Sequence, residues 1–278
     1  MEQSDENLLD AARTGDRRAL EKLLDRHQRR VYRFGLKMCR DPEDAKDVLQ
    51  DTLLAVARGV KDFRGASSMS TWLYTIARSF CIKKRRRSKY APAEEESLDT
   101  EPGQEARAIA DEARGPEESL AGRQIEAALE EAIGSLQPIY REVLVLRDVE
   151  GFTAPEVAEV LGITVEAVKS RLHRARMTVR EAIAPKLGLP GPEPAAAPLA
   201  EACPDILDLF SRHLEGEISA DVCARMEQHL ASCERCRSRC DSLQKTLALC
   251  RTAPLPEVPK PVQATVRRAL KRFLEEHA

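Results

Sequence analysis

Residues 151–176 predict two helices joined by a tight turn, and this pattern constrains the fold of the 278-residue chain more than any other. Thr153 can cap the first helix, with Glu156 three residues later completing a capping box. Gly162 supplies the turn, and Thr164 can cap the second helix. Apolar residues recur at helical spacing on both helices: Val157, Ala158 and Leu161, then Val165, Val168, Leu172 and Ala175. The segment therefore predicts a helix-turn-helix.

The outer face of the second helix carries short polar groups and long cations. Its members are Lys169, Ser170, Arg171, His173, Arg174 and Arg176. Such a face is typical of a recognition helix, in which some side chains reach base edges and flanking cations contact phosphates. The alternative is an ordinary helical hairpin with a solvated basic face.

A second nucleic-acid signal lies between residues 63 and 87. Three aromatic residues, Phe63, Trp72 and Tyr74, precede a cationic run that includes Arg78, Lys83, Lys84 and Arg85. Aromatic rings beside cations suit single-stranded DNA, because bases stack on the rings while the cations hold the backbone. The alternative is that Phe63 and Trp72 only anchor the core of a small helical domain.

Charge is strongly segregated, although the formal net charge is only −2. Residues 78–89 hold seven basic and no acidic side chains, whereas residues 90–119 hold ten acidic and two basic ones.

Strand patterns are scarce, so we expect an all-α protein. No apolar stretch approaches the roughly 20 residues that span a bilayer, and the acidic N-terminus does not resemble a secretory signal. We therefore expect a cytoplasmic chain with reduced thiols, whose eight cysteines are metal ligands or redox sensors.

Three residues near the C-terminus have spacings suited to zinc: His229, Cys233 and Cys236. Steps of four and three residues place them on one face if a single helix runs through them, and a tetrahedral site needs a fourth ligand. Cys240 lies on the same predicted face, so it is either a candidate switch ligand or a passive thiol. Cys39, Cys81 and Cys223 have apolar or helical neighbours and are predicted to be packing residues, and His213 is a substitute ligand.

Taken together, four segments resemble the extracytoplasmic-function (ECF) RNA polymerase sigma factors over roughly residues 6–187. These are 41–50 (DPEDAKDVLQ), Phe63-Arg-Gly, 71–78 (TWLYTIAR) and 136–147 followed by the helix-turn-helix.

The resemblance implies that Asp44, Asp47, Gln50 and Asp51 bind core RNA polymerase. It also implies that 63–78 melts and reads the −10 element of promoter DNA. Lys169, Ser170 and His173 would then contact −35 bases, with Arg171, Arg174 and Arg176 on phosphates. The chain has Ser79-Phe80 where the family commonly has Asn after Ile-Ala-Arg, so no promoter preference is carried over.

The C-terminal segment resembles the zinc-binding anti-sigma domains. That resemblance supplies Cys203 as the fourth ligand beside His229, Cys233 and Cys236, and it includes Leu214-Glu-Gly-Glu-Ile218. Some ECF factors with similar cysteine-rich C-terminal domains respond to metal ions. The resemblance therefore implies a zinc-binding regulatory unit fused to a sigma factor.

The expected organisation has five segments: sigma region 2 (6–89), an acidic linker (90–122), sigma region 4 (123–187), a Pro/Ala linker (188–202) and a zinc-binding regulatory domain (203–278). The amphipathic helix predicted after Pro261 would either complete the core of the regulatory domain or dock onto a sigma domain.

No catalytic constellation is evident, so we expect a transcription initiation factor rather than an enzyme. The alternatives are a helix-turn-helix regulator that does not bind core polymerase and a thiol-redox enzyme using Cys233 and Cys236.

Overall fold

The computed structural model describes residues 3–90, 116–188 and 203–276, and no strand occurs within them. The expected all-α class is confirmed. Most of the two predicted linkers, 91–115 and 189–202, lies outside the described residues. The α-helices of the described residues are α1 (Asp5–Arg13), α2 (Arg17–Cys39), α3 (Pro42–Gly59), α4 (Met69–Tyr90), α5 (Pro116–Ser135), α6 (Pro138–Leu144), α7 (Ala154–Leu161), α8 (Val165–Ile183), α9 (Ile206–Leu214), α10 (Ala220–Ser232), α11 (Glu234–Thr252) and α12 (Lys260–Glu276).

Helix α5 begins at Pro116, so residues 116–122 of the predicted acidic linker are helical.

The chain forms two compact units. Unit 1 comprises Met1–Glu112, Pro155–Gly162 and Pro254–Ala278, and unit 2 comprises Ala113–Ala154 and Ile163–Ala253. The C-terminal helix thus groups with the N-terminal helices, although the sequence places it in the regulatory domain. The reason is that α12 packs against α3.

In unit 1, helix α3 packs between α2 and α4. Asp41 caps α3 by accepting a hydrogen bond from the Asp44 backbone N–H, and Pro42 occupies the first turn, where no N–H is needed. The predicted inner face of α3 is confirmed as buried: Ala45, Val48, Leu49 and Leu53. A Cβ at Gly35 of α2 would lie 3.2 Å from the Cα of Ala45, which is closer than most Cβ contacts, so glycine favours this close approach of α2 and α3.

A buried histidine ties α1 to α2 in unit 1. The Nε2 atom of His27 lies 2.8 Å from Oδ2 of Asp5, whose other oxygen accepts from Arg26. Burial lowers the pKa of His27 below its ordinary value of 6.5, against the opposing charge of Asp5. Burial tends to raise the pKa of Asp5, but Arg26 and His27 together hold it below 3.8.

We expect the stability of α1 and α2 to fall in acid. Unfolded His27 binds its proton more tightly than folded His27, so protonation favours unfolding as the pH falls below 6.5. The Asp5 contribution is complete at neutral pH and is lost below pH 3.8. Thermal unfolding followed by circular dichroism should therefore show a smaller decrease in Tm between pH 7 and pH 5 for His27→Gln than for wild type. Identical pH profiles would contradict this assignment.

In unit 2, helix α8 packs on α5 and α6. Of its predicted inner face, Val168, Leu172 and Ala175 are buried and Val165 is half-buried. Arg141 of α6 is buried and donates to the carbonyls of Ile133 and Leu136, which fixes the end of α5.

Helices α9, α10 and α11 form a small second core in unit 2. It is built from Ile206, Leu207, Met226, Cys236, Cys240, Leu243 and Leu247, and Met177 of α8 packs against it. The cysteine-rich segment and the predicted recognition helix therefore share one compact unit.

Candidate metal centre and nucleic-acid interface

Four potential metal ligands converge at the corner between α10 and α11. One ligand atom from each of Cys203, His229, Cys233 and Cys236 lies within 4.8 Å of the other three. A single helix does not run through the last three residues, so the condition for their sharing one helical face is not met. Cys233 is extended (φ −115°, ψ 100°) and separates α10 from α11, so the turn brings the ligands together.

The chemistry of these donors fits a tetrahedral metal ion. The Nε2 atom of His229 is buried and has no hydrogen-bond partner among the described residues. Burial, with Cys233 and Cys203 close by, raises the pKa of the Cys236 thiol to about 12. Hydrogen bonding from the Cys236 backbone N–H lowers the pKa of Cys233. A cation bound by the three sulfurs and the imidazole would provide the missing partner and neutralise the thiolates.

Cys240 lies in the hydrophobic core and outside this cluster. Its side chain is almost fully buried, and burial raises the pKa of its thiol to about 11. Cys250 is buried as well. Cys240 is therefore a core thiol in this structure, and its role as a switch ligand stays a prediction.

The outer face of α8 is partly occupied. Ser170 and Arg174 are exposed, and Arg171 is half-buried. The other three predicted DNA contacts, Lys169, His173 and Arg176, face acidic residues of the cysteine-rich segment.

Arg176 corrects a sequence-based expectation, because its side chain is completely buried rather than available to phosphate. It donates two hydrogen bonds to Asp148, at 2.9 and 2.7 Å, and one to Glu215 at 2.8 Å. Burial disfavours the charged guanidinium, but Asp148 and Glu215 hold the pKa of Arg176 above its usual value. Asp148 comes from the π-helical turn that follows α6.

The acidic partners of α8 lie in and just after α9. Glu215 accepts from Arg147 at 2.9 Å as well as from Arg176, and its side chain is only 7% exposed. Glu217 lies 2.6 Å from Nζ of Lys169, and Asp208 lies 4.0 Å from Nδ1 of His173. Sequence reasoning did not identify these acidic residues as a binding surface, although two of them belong to the Leu214-Glu-Gly-Glu-Ile218 motif.

The three aromatic candidates of unit 1 differ in accessibility. Tyr74 is buried with its ring edge-on to Phe34 at 5.2 Å, so it cannot stack on a base in this conformation. Phe63 is also buried, 4.7 Å from the ring of Trp72. Trp72 keeps part of its ring accessible. Phe63 is therefore buried as the core-anchor alternative predicts, Tyr74 is buried as well, and base stacking by the half-buried Trp72 stays a prediction.

The acidic face of α3 also has a cationic neighbour. Lys84, a predicted DNA contact, lies 3.1 Å from Asp44 and pairs with Asp47. Asp47 nevertheless keeps a side-chain exposure of 61%, and Asp51 is exposed. Among the other cations of α4, Lys83 is exposed over the Phe80 ring at 4.9 Å, and Arg78 and Arg85 are half-buried.

Three family models match the chain. Sigma-70 region 2 matches residues 23–90, sigma-70 region 4 matches residues 126–179, and a zinc-finger model matches residues 203–237. No helix of the described residues is long and apolar enough to cross a membrane.

Curated relatives cover the first two thirds of the chain. The ECF RNA polymerase sigma factor SigM of Mycobacterium tuberculosis is 34% identical over 175 residues, which is 63% of this chain and 82% of SigM. The RNA polymerase sigma-H factor of Pseudomonas aeruginosa is 28% identical over 67% of this chain and 97% of its own length.

A solved structure, CnrH in complex with the cytosolic domain of CnrY, is 26% identical to this chain. It covers 64% of this chain and 95% of its own, with a TM-score of 0.47.

Proposed function

The chain belongs to the ECF family of RNA polymerase sigma factors, and we propose that its cysteine-rich C-terminal part is a zinc-stabilised inhibitor of its own DNA- and polymerase-binding surfaces. As a sigma factor it is not an enzyme: it binds core RNA polymerase and directs promoter-specific initiation. The proposal concerns what the fused part does to that activity.

The ion pairs between α8 and the residues of α9 and its C-terminal turn carry the proposal. Lys169, His173 and Arg176 lie on the face that the sigma resemblance assigns to the −35 element. Lys169 and Arg176 form ion pairs with carboxylates of the cysteine-rich segment, and the His173 ring lies 4.0 Å from a third carboxylate. A carboxylate and a DNA phosphate compete for the same cation, so duplex DNA can bind this face only after these pairs separate.

The packing of α12 on α3 supports a second, weaker effect on polymerase binding. Val266 and Leu270 of α12 are buried, and Phe273 lies 5.9 Å from the Arg58 guanidinium near the end of α3. Arg29 of α2 donates to the carbonyls of Leu255 and Pro256, which fixes the approach to α12. The proposed polymerase contacts Asp47 and Asp51 stay exposed, so α12 would obstruct the polymerase at one end of α3.

The metal that we propose for the Cys203, His229, Cys233 and Cys236 cluster is zinc. Three thiolates and one imidazole form a closed tetrahedral set typical of structural zinc. These residues lie in the zinc-finger match. They join the end of α10 and the start of α11 to Cys203, which lies three residues before the start of α9. Zinc would hold α9 in position to present Glu215 and Glu217.

Removal of the C-terminal part tests the proposal. A chain ending at Gly188 should give more promoter-directed transcription with core polymerase than the full chain at equal concentration, because both sigma surfaces are then free. Equal or lower activity of the shortened chain, with its helical content preserved, would contradict an inhibitory role.

The α12 contact predicts a separate effect. Leu270→Asp places a carboxylate in the buried face of α12, and we expect its release from α3 to raise the affinity for core polymerase severalfold. Ala264→Asp adds the same charge at an exposed position of α12 and is the matched control. Affinity measured by fluorescence anisotropy of labelled protein should change only for Leu270→Asp. An equal response of both variants would show that charge, and not release, is responsible.

A further inference from the structure

The exposed side of α12 carries a set of cations that the functions described so far do not use. Helix α12 packs against α3, and Val266 and Leu270 on its apolar stripe are buried. The opposite side of the helix, which we call the basic face, consists of the exposed residues Lys260, Arg267, Arg268, Lys271 and Arg272. Unit 1 therefore presents a concentrated positive charge to solvent on this helix.

The chain itself leaves the basic face almost unpaired. Within the described residues its only ion pair joins Lys271 to Glu275, at 3.9 Å, and Arg268 donates to the Thr265 hydroxyl at 3.3 Å. The carboxylates of α3 are therefore not the partners of this face. Like charges one helical turn apart, such as Arg268 and Arg272, repel each other, and a bound anion would relieve that repulsion.

The end of α3 connects the C-terminal part of α12 to the Trp72 ring. Phe273 of α12 lies 5.9 Å from the guanidinium of Arg58. The next residue of α3, Gly59, is so close to Trp72 that a Cβ there would lie 3.1 Å from the indole ring. Part of that ring is accessible, so the basic face ends near a candidate for base stacking.

We propose that the basic face of α12 binds the phosphate backbone of single-stranded DNA whose bases stack on Trp72. Sites for single strands combine cations that follow the backbone with aromatic rings that stack on the bases. A lipid surface is a poorer match, because it would take up the apolar stripe of α12, which is buried in unit 1. This binding requires α12 to stay packed on α3, whether or not the C-terminal part inhibits the sigma surfaces.

Removal of two charges from the basic face tests the proposal. Arg268→Gln with Arg272→Gln changes only exposed side chains, so unit 1 should stay folded. At low ionic strength, the affinity of the full chain for a labelled single-stranded oligonucleotide of mixed sequence, measured by anisotropy, should fall roughly tenfold. The slope of log affinity against log salt concentration should become shallower by about 1.4, which is about 0.7 for each lost phosphate contact.

A control pair of arginines lies in the same unit. Arg17→Gln with Arg18→Gln removes the same charge from exposed positions of α2 and should leave the affinity and the slope nearly unchanged. Equal losses in the two double variants would overturn the proposal, because net charge alone would then explain them. Binding of wild type to vesicles of anionic phospholipid, but not to the oligonucleotide, would overturn it as well.

Fluorescence of Trp72, the single tryptophan of the chain, reports whether the bound strand reaches the ring. The oligonucleotide should quench this fluorescence in wild type, because stacked bases contact the indole. In Arg268→Gln with Arg272→Gln the same quenching should need roughly tenfold more oligonucleotide. Binding seen by anisotropy without any quenching would separate the basic face from Trp72 and contradict the proposal.

Discussion

Replacing Glu215 and Glu217 together by glutamine should strengthen binding of the full chain to −35 duplex DNA by roughly tenfold to a hundredfold. Glu217 pairs with Lys169, and Glu215 pairs with Arg147 and shares Arg176 with Asp148. A hydrogen bond between buried charged groups, such as that of Arg176 to Glu215, contributes about 1.5–3 kcal/mol, and about 1.4 kcal/mol corresponds to a tenfold change in an equilibrium. The amides keep the shape of the side chains but remove the charge that competes with phosphate.

A matched control is available in the same segment. Asp221→Asn with Glu234→Gln removes the same charge from two exposed positions, and neither residue has an ion pair with α8 in the structure. Affinity for duplex DNA, measured by anisotropy at fixed ionic strength, should rise far more in the first double variant than in the control. Similar increases in both would mean that overall charge, and not occupation of α8, limits DNA binding.

Loss of the four-ligand metal should release the same face of α8. Helices α9 and α10 have 9 and 13 residues, which is near or below the length at which an isolated helix is stable in water. Structural zinc contributes on the order of 10 kcal/mol to small domains. We therefore expect Cys233→Ala, or prolonged chelation of wild type, to disorder α9 and α10 and to raise DNA affinity to that of the chain ending at Gly188.

Cys240→Ala serves as the control for the metal experiment. It removes a buried thiol from the same core but leaves the ligand cluster intact, so its zinc content should equal that of wild type. Atomic emission measures whether zinc is lost. Hydrogen exchange measures separately whether α9 and α10 lose their protection. A Cys233→Ala protein that lacks zinc and yet keeps α9 protected would refute the coupling between metal and inhibition.

Local sequence signals predicted the helices of unit 1 and unit 2 well. The caps Asp41 and Thr164 begin α3 and α8, and the buried stripes through Val48 and Val168 follow from helical spacing. Helix caps and helical spacing depend on residues only a few positions apart, so the local sequence is enough to predict the helix from them.

Spacing alone misjudged how the metal ligands meet. Steps of four and three residues suggested one helical face, but the extended backbone at Cys233 makes a corner, and Cys203 reaches it from before α9. The fourth ligand came from resemblance, because nothing in the spacing fixes a residue that is 26 positions away. The burial of Cys240 in the core also could not be predicted from its spacing.

The sequence by itself determined the helical class, the capped helix-turn-helix and the type of metal ligand, because these depend on neighbours along the chain. Only the tertiary structure decided which charges meet. Glu215 is 39 residues from Arg176, and an arginine on a helix face has the same sequence pattern whether it faces solvent, phosphate or a buried carboxylate. The packing of the small core of α9, α10 and α11 against α8 decides that Arg176 faces buried carboxylates.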